Sequence, residues 1–375
     1  MISKIIKIIL LISLLILIIG LLKFQYKETS PLKFPQDRIL TKPPLIDAEK
    51  IFNTLTLEQK IGQILIIGFE GRTLTSQLEN LIKKIHPGGV LLLSRNIENK
   101  SQLTKLIDDL NKISLADTGL PLFIAVDQEG GVISRVQFLN EKTPQSEIKN
   151  ENQAYQVGFK RGKELKELGI NLNLAPVLDL TNPSDFLHNR SFQKSFKETG
   201  ELARSLILGQ KEAGILTAIK HFPGYGNISF NPERIKLPVL SKIPEISQFK
   251  KAIQAKPEMI MTTNVIYSEI DKNLPFSLST KSIQFLKKEL GDDFLIISDD
   301  LASPVLKREF SLKKTITLAV EAGVDILGVA GFDEPRDPLD AFNFLLEATK
   351  KGEISEERIN QSVFKIIRLK EKLLK

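Results

Sequence analysis

Acidic and basic side chains follow short apolar runs at several points of this sequence. Asp127 ends the run LFIAVD, Lys220 and His221 end LTAIKH, and Asp299 ends FLIISD. Arg190 follows a fourth apolar run, in the segment HNRSF. Carboxylates accept hydrogen bonds from neighbouring hydroxyl groups, and arginine and lysine donate to hydroxyl oxygens. Since a further carboxylate can attack the anomeric carbon of a pyranose, these residue types suit a sugar ligand.

The apolar runs alternate with amphipathic stretches from about residue 47 onward. Candidate strands occupy residues 63–69, 88–93, 122–127, 171–178, 216–221, 258–263, 294–299 and 324–329. Apolar residues recur at helical spacing between them, for example in 101–113, 151–169 and 280–291, and a capped helix follows Ser355. Eight alternations predict an α/β fold, a (β/α)8 barrel of the TIM type. A doubly wound sheet is the alternative, but no G-x-G-x-x-G motif favours it.

In such a barrel, the residues that act on a ligand lie at the carboxyl ends of the strands. The third, fifth and seventh candidate strands end in Asp127, in Lys220 and His221, and in Asp299. Strand ends are often polar simply because they meet water. Four such sites on one face nevertheless favour a single pocket over that explanation.

Composition excludes several classes of function. The 375 residues include no cysteine, so disulfides, thiol chemistry and cysteine-bound metals are excluded. The net charge of +7 comes largely from scattered lysines rather than from a basic block interleaved with aromatic residues. We therefore expect no nucleic-acid partner. We expect the protein to be a monomer.

The N-terminus differs in composition from the rest. Lys4 and Lys7 precede the uncharged run from Ile8 to Leu22, and no A-x-A pattern follows it. We interpret residues 1–24 as a hydrophobic helix acting as a signal-anchor, with residues 5–22 in the membrane and the barrel exported to the periplasmic or extracellular face. A cleaved signal peptide and secretion are the alternative. Residues 25–45, rich in proline and lysine, are predicted to be a linker, and 46–375 the barrel.

Longer motifs resemble glycoside hydrolase family 3, in its single-domain β-N-acetylhexosaminidase branch. The matching segments occur in the order of the family across roughly residues 56–330: LTLEQKIGQILIIGF, GGVLLLSRNI, PLFIAVDQEGGVISRV, NLNLAPVLDL, NRSF, KHFPGYG, MTTNVIYSEID, LPFSLS and FLIISDDL. The resemblance implies retaining hydrolysis of a β-linked N-acetylglucosamine, for example from peptidoglycan. It implies neither a metal nor an organic cofactor.

The resemblance also implies roles for individual residues. Asp299 matches the catalytic nucleophile, and Asp300 is expected to face the other way because successive strand residues alternate. The residues that match those holding the sugar ring are Asp127, Arg135, Arg190, Lys220 and His221. Asp179 matches a supporting acidic position behind them.

The match fails at the loop AIKHFPGYGNISFNPERIKLPVL. The family carries an Asp–His pair here as general acid/base, but the corresponding positions hold Asn231 and Glu233, and Tyr225 replaces an earlier histidine. Further departures are Val132 for a usual arginine and Asn264 for a usual histidine.

Three interpretations of the altered loop stay open. Glu233 could be the substitute acid/base, since a carboxylic acid of raised pKa is the common proton donor in glycoside hydrolysis. The protein could instead be a membrane-tethered pseudoenzyme that binds glycans, because loss of acid–base catalysis costs about 10²–10⁴-fold in rate. Thirdly, the acid could come from another loop, or phosphate could accept the sugar.

Overall fold

The computed structural model of the protein describes residues 48–373. The hydrophobic helix predicted for residues 1–24 and the linker predicted for 25–45 lie outside this range. Among the helices of residues 48–373, none combines the length and the apolar character that a membrane span requires.

Eight parallel strands form a barrel at the centre of the fold. The strands of the chain are β1 (Leu65–Ile67), β2 (Gly89–Leu92), β3 (Phe123–Val126), β4 (Gln128–Gly130), β5 (Ile133–Ser134), β6 (Leu172–Asn173), β7 (Leu216–Phe222), β8 (Val239–Leu240), β9 (Met259–Thr262), β10 (Ile266–Tyr267), β11 (Leu295–Ser298) and β12 (Leu327–Val329). The barrel order is β11-β9-β7-β6-β3-β2-β1-β12. A parallel bridge between Ile297 and Ile326 joins β11 to the residues before β12 and closes the ring. The predicted (β/α)8 fold is therefore confirmed.

Helices surround the barrel. They are α1 (Ala48–Thr54), α2 (Leu57–Gln63), α3 (Ser76–Ile85), α4 (Lys100–Thr118), α5 (Glu151–Lys166), α6 (Phe196–Glu212), α7 (Ser247–Ala252), α8 (Thr280–Leu290), α9 (Pro304–Phe310), α10 (Leu312–Ala322), α11 (Asp337–Lys350) and α12 (Glu356–Lys370). Short polar side chains start many of them. Thr56 and Ser195 form capping boxes on α2 and α6, and Asn99 caps α4. These caps fix where each helix leaves its loop.

The barrel strands are buried on both faces because helices cover the outside and side chains fill the inside. All residues of β3, β7, β9 and β11 are buried. This explains why the strands read as continuous apolar runs in the sequence rather than as alternating patterns.

Two small sheets lie outside the barrel and support the loops at the strands' carboxyl ends. The antiparallel pair β4 and β5 directly follows β3. The parallel pair β8 and β10 joins the loop after β7 to the loop after β9. Both sheets therefore brace the segments that carry the polar residues.

Candidate active site

A buried group of opposite charges lies where β3, β7 and the loop after β6 meet. The Lys220 Nζ atom lies 2.6 Å from Asp127 Oδ1 and 2.6 Å from Glu129 Oε1. Arg190, in a single 3-10 turn, donates from Nε and Nη2 to the two carboxylate oxygens of Glu129, at 2.9 and 2.7 Å. Arg135 lies farther away, with Nη2 at 3.9 Å from Asp127 Oδ2. The paired charges hold one another in fixed positions.

The same contacts fix the charge state of the acids. Burial alone would raise the pKa of Asp127, but Lys220 and Arg135 lower that pKa to about 2. The pKa of Glu129 is likewise lowered, because Arg190 and Lys220 outweigh the effect of burial. Asp127 is therefore an ionised hydrogen-bond acceptor at neutral pH.

The turn between β4 and β5 gives this charge group its shape. Gly130 has a φ of +94°, and a Cβ atom there would lie 2.1 Å from the Thr143 carbonyl oxygen. Only glycine fits this turn without displacing the backbone. The fully buried Arg161 donates to the carbonyl oxygens of Glu129 and Thr143, at 2.8 Å each. It thereby ties the turn to the loop behind it.

Asp179 orients the next two residues of the site. Its Oδ2 atom accepts from the backbone N–H of His221 at 3.0 Å and lies 2.8 Å from His221 Nδ1. Its Oδ1 atom accepts from the backbone N–H of Tyr225 at 2.7 Å. Burial raises the pKa of Asp179, but His221 and these donors leave it lowered. Because an ionised carboxylate only accepts hydrogen bonds, Nδ1 of His221 carries a proton. Nε2 is the ring nitrogen that does not contact Asp179.

Both carboxylate oxygens of Asp299, at the end of β11, accept hydrogen bonds. Tyr225 donates its hydroxyl to Oδ2 at 2.5 Å, and the backbone N–H of Asp300 donates to Oδ1 at 2.8 Å. The Asp300 carboxylate instead accepts from the backbone N–H groups of Ala302 and Ala330. Burial raises the pKa of Asp300 to about 7. The two adjacent acids thus have different partners.

Glu233 reaches the same cavity as Asp299 from the loop after β7. Its backbone carbonyl accepts from Val305 N at 3.2 Å, and its N–H donates to Asn231 Oδ1 at 2.9 Å. Within residues 48–373, no group donates a hydrogen bond to the Glu233 carboxylate. Burial, and then the nearby Asp299 and Asp300, raise the pKa of Glu233 to about 8. At neutral pH this side chain is therefore a protonated acid beside an aspartate.

The predicted residues converge on one cavity of about 220 Å³. Its walls include all seven of them: Asp127, Arg135, Arg190, Lys220, His221, Glu233 and Asp299. Sequence reasoning missed two residues, Glu129 and Tyr225, as members of the site. The alternation of a strand could have indicated Glu129, which lies two positions after Asp127.

The remaining departures from the family lie at different depths. Val132 is exposed, whereas Asn264 is buried and donates from Nδ2 to the Asp300 carbonyl oxygen at 3.1 Å. Ser277 donates its hydroxyl to Asn264 Oδ1. Asn264 therefore holds the backbone beside Asp299, and Val132 lies at the surface of the β4–β5 turn.

Residues 56–369 match the model of the glycosyl hydrolase family 3 N-terminal domain. A β-hexosaminidase of Nitrosomonas eutropha is 29% identical over 82% of this chain and 92% of its own length. A β-hexosaminidase of Shewanella frigidimarina is 32% identical over 68% of this chain and 77% of its own. A family 3 β-N-acetylglucosaminidase structure from Paenibacillus is similar with a TM-score of 0.79 and 30% identity, over 85% of this chain and 62% of that one.

Proposed function

The chain belongs to glycosyl hydrolase family 3, and we propose that it hydrolyses β-linked N-acetylglucosamine with retention, using Asp299 as nucleophile and Glu233 as acid/base. It is a glycoside hydrolase of the β-N-acetylhexosaminidase type. The observation that carries the proposal is the Glu233 carboxyl group, which accepts no hydrogen bond from the described residues 48–373, has a raised pKa, and shares one cavity with Asp299.

The first step breaks the glycosidic bond. Glu233 gives its proton to the glycosidic oxygen, so the leaving group departs as a neutral alcohol. An Asp299 carboxylate oxygen attacks the anomeric carbon as that bond breaks, which gives a covalent glycosyl-enzyme and a Glu233 carboxylate. The sugar hydroxyls have an acceptor in Asp127 and donors in Lys220 and Arg190.

The second step releases the sugar. The Glu233 carboxylate accepts a proton from water, and the water oxygen bonds to the anomeric carbon. The bond from this carbon to Asp299 breaks, and its electron pair returns to the carboxylate. The Asp299 carboxylate and the protonated Glu233 are thereby restored, so each cycle consumes only the glycoside and one water.

Arg135 supports the part of the proposal that concerns substrate binding. Its Nε atom is buried and has no hydrogen-bond partner among residues 48–373, although the side chain lines the cavity. The side chain as a whole is 28% exposed, so its outer guanidinium nitrogens can donate to a ligand oxygen in the cavity. The acetamido carbonyl or a ring hydroxyl of N-acetylglucosamine has the required acceptor.

The test compares two N-acetylglucosaminides, one with a nitrophenyl leaving group and one with a sugar leaving group. Asp299→Ala should abolish turnover of both. In Glu233→Ala, kcat/KM should fall about 10²–10⁴-fold for the substrate with the sugar leaving group. It should fall far less for the nitrophenyl substrate, because an acidic phenol leaves without protonation. Equal loss on both substrates would rule out Glu233 as the acid. Binding without turnover in the wild type would establish the alternative, a glycan-binding pseudoenzyme.

The natural setting is part of the same proposal. The uncharged run from Ile8 to Leu22 supports a membrane tether, with the barrel exported and a peptidoglycan fragment as substrate. The test compares the full chain with a variant that lacks residues 1–24. The full chain should be recovered from washed membranes, and the shortened variant should not. Recovery of both forms in the supernatant would contradict the tether.

A further inference from the structure

A second cavity lies at the base of the barrel, at the end opposite the candidate active site. Pro257 and Glu258 precede β9, and Leu295 begins β11, so this cavity lies at the amino ends of two strands. Its volume is about 400 Å³, within the roughly 300–1,000 Å³ of pockets that enclose a small ligand. Its walls carry five cationic side chains: Lys211, Lys256, Lys365, Arg368 and Lys372. The proposed hydrolysis uses none of them.

The acids of this cavity neutralise only part of that charge. They are Glu258, Asp292 and Asp293. Glu258 is buried and pairs with Lys372 and Lys211, whose Nζ atoms lie 3.6 and 3.9 Å from its Oε1 atom. Among residues 48–373, no acid forms an ion pair with Lys256 or Arg368, and both side chains are exposed. These two cations are therefore accessible to an anion outside the protein.

The preference of helix ends for positive charge explains only part of the cluster. Lys211 and Arg368 lie in the last turns of α6 and α12, where a cation complements the helix dipole. Lys256 instead follows a 3-10 turn and has a φ of +54°, a conformation in which glycine or asparagine is usual. A lysine at such a position indicates a use for its side chain.

The described chain begins at the same face of the barrel. The backbone N–H of Ala48 donates to Glu371 Oε1 at 3.1 Å, and Glu371 directly precedes Lys372. The segment that precedes Ala48 is therefore joined to the barrel at its base. Because the proposed membrane tether lies in that segment, the anionic surface nearest to the point of attachment is that of the lipid headgroups.

We propose that this basic cavity at the base of the barrel binds the phosphate groups of anionic membrane lipids. Each lysine or arginine near an anionic surface adds to the attraction, which weakens in salt because ions screen it. A barrel held in this way directs the carboxyl ends of its strands, and with them the candidate active site, away from the lipid. The inference takes its choice of ligand from the proposed tether and is independent of catalysis.

The test measures sedimentation with lipid vesicles, using the variant that lacks residues 1–24 so that the hydrophobic run cannot contribute. The closed barrel lies within residues 48–373, so this variant keeps the whole fold. It should bind vesicles that contain phosphatidylglycerol but not vesicles of phosphatidylcholine alone, and added salt should release it.

Three substitutions at the base should weaken this binding. When Lys256→Gln, Arg368→Gln and Lys372→Gln are combined, the partition coefficient should fall on the order of 100-fold, about fivefold for each cation. The matched control removes three exposed lysines near the starts of α6 and α8, at the other end of the barrel: Lys194→Gln, Lys197→Gln and Lys281→Gln. The control should bind nearly as the unsubstituted protein does, and thermal unfolding checks that both variants are folded.

The exposed acids of the cavity give a test of opposite sign. Asp292→Asn combined with Asp293→Asn should strengthen binding to phosphatidylglycerol vesicles. Equal losses in the base variant and the control would overturn the proposal, because net charge alone would then explain the binding. Binding of soluble polyphosphate without binding of vesicles would overturn it too, since the ligand would then be a free polyanion. No arm measures turnover or uses residues 1–24, so failure of the hydrolysis or of the tether is seen separately.

Discussion

At the scale of single residues, Tyr225 makes a contact with Asp299 that the motifs of the family do not predict. Its hydroxyl donates to Asp299 Oδ2, and burial, followed by Asp299 and Glu233, raises the pKa of Tyr225 well above its usual value. The phenol is therefore a donor throughout the working pH range. Because it contacts an oxygen of the proposed nucleophile without lining the cavity, Tyr225 acts as a positioning residue.

Tyr225→Phe should lower kcat/KM about 10- to 100-fold, since a hydrogen bond to a charged group contributes about 1.5–3 kcal/mol. The loss should be similar for nitrophenyl and sugar leaving groups, because the attack of Asp299 is common to both. Tyr155→Phe is the matched control, since Tyr155 donates to Glu212 at 2.5 Å on the helical surface. A loss confined to the sugar leaving group would instead link Tyr225 to proton donation.

Residue types alone could identify the charged part of this site, but not its internal pairing. Asp127, Lys220 and Asp299 were predictable because each ends an apolar strand, where a barrel carries its site. The bidentate contact of Arg190 with Glu129 joins residues 61 positions apart in the sequence. No local pattern specifies such a pair, because it depends on how two loops meet above the barrel.

At the scale of elements, the loop with Glu233 is held by the helix that follows Asp299. Arg308, on α9, donates from Nη2 to the carbonyl oxygens of Arg234 and Ile235, at 3.3 and 3.1 Å. Arg234 also pairs with Asp333, with Nη2 at 3.3 Å from Oδ1. The same helix therefore links the β11 end to the position of Glu233.

Arg308→Ala should loosen this loop and place the acid less accurately. We expect kcat/KM for the sugar leaving group to fall about tenfold, because small misplacements of reacting groups are costly. The nitrophenyl substrate should be much less affected, since it does not need the acid. Arg336→Ala, which removes an exposed arginine paired only with Asp340 among residues 48–373, is the control. Equal losses on both substrates would indicate general damage to the site.

The elements themselves were predictable to different degrees. Each predicted barrel strand overlaps an observed one, because apolar runs buried on both faces are distinctive. The strand predicted for 171–178 is regular only in Leu172–Asn173, because Pro176 lacks the N–H that a continuous ladder needs. The pairing of β8 with β10 was not predictable, since two-residue strands have no periodicity to read.

At the scale of the whole molecule, the barrel is closed at its base by a buried lysine. Lys370, at the end of α12, is fully buried, and its Nζ donates to Gln63 Oε1 at 2.7 Å. The same atom lies 5.0 Å from the centre of the Phe123 ring at the start of β3. Within residues 48–373 no acidic side chain forms an ion pair with it. Burial therefore lowers the pKa of Lys370 well below its usual value.

This lysine should make stability depend on pH in a specific direction. Between the lowered pKa of the folded state and the usual pKa of about 10.4, the unfolded chain binds a proton that the folded chain does not. Stability should therefore rise with pH in this window, by up to about 1.4 kcal/mol per pH unit, and fall as the solution is acidified. In Lys370→Met the contribution disappears. Groups common to both proteins cancel in the difference of their free energies of unfolding.

Urea unfolding of both proteins from pH 6 to pH 10 measures that difference. We expect the free energy of unfolding of the wild type to increase relative to that of Lys370→Met as pH rises. Lys288→Met is the control for removing an exposed lysine. Parallel curves would mean that Lys370 stays protonated in the fold, so that Gln63 and the Phe123 ring suffice to stabilise its charge. Divergent curves would mean that a neutral amine links the C-terminal helix to the barrel base. Since the candidate site lies at the opposite ends of the strands, the contribution of Lys370 to stability would then titrate separately from the acids of that site.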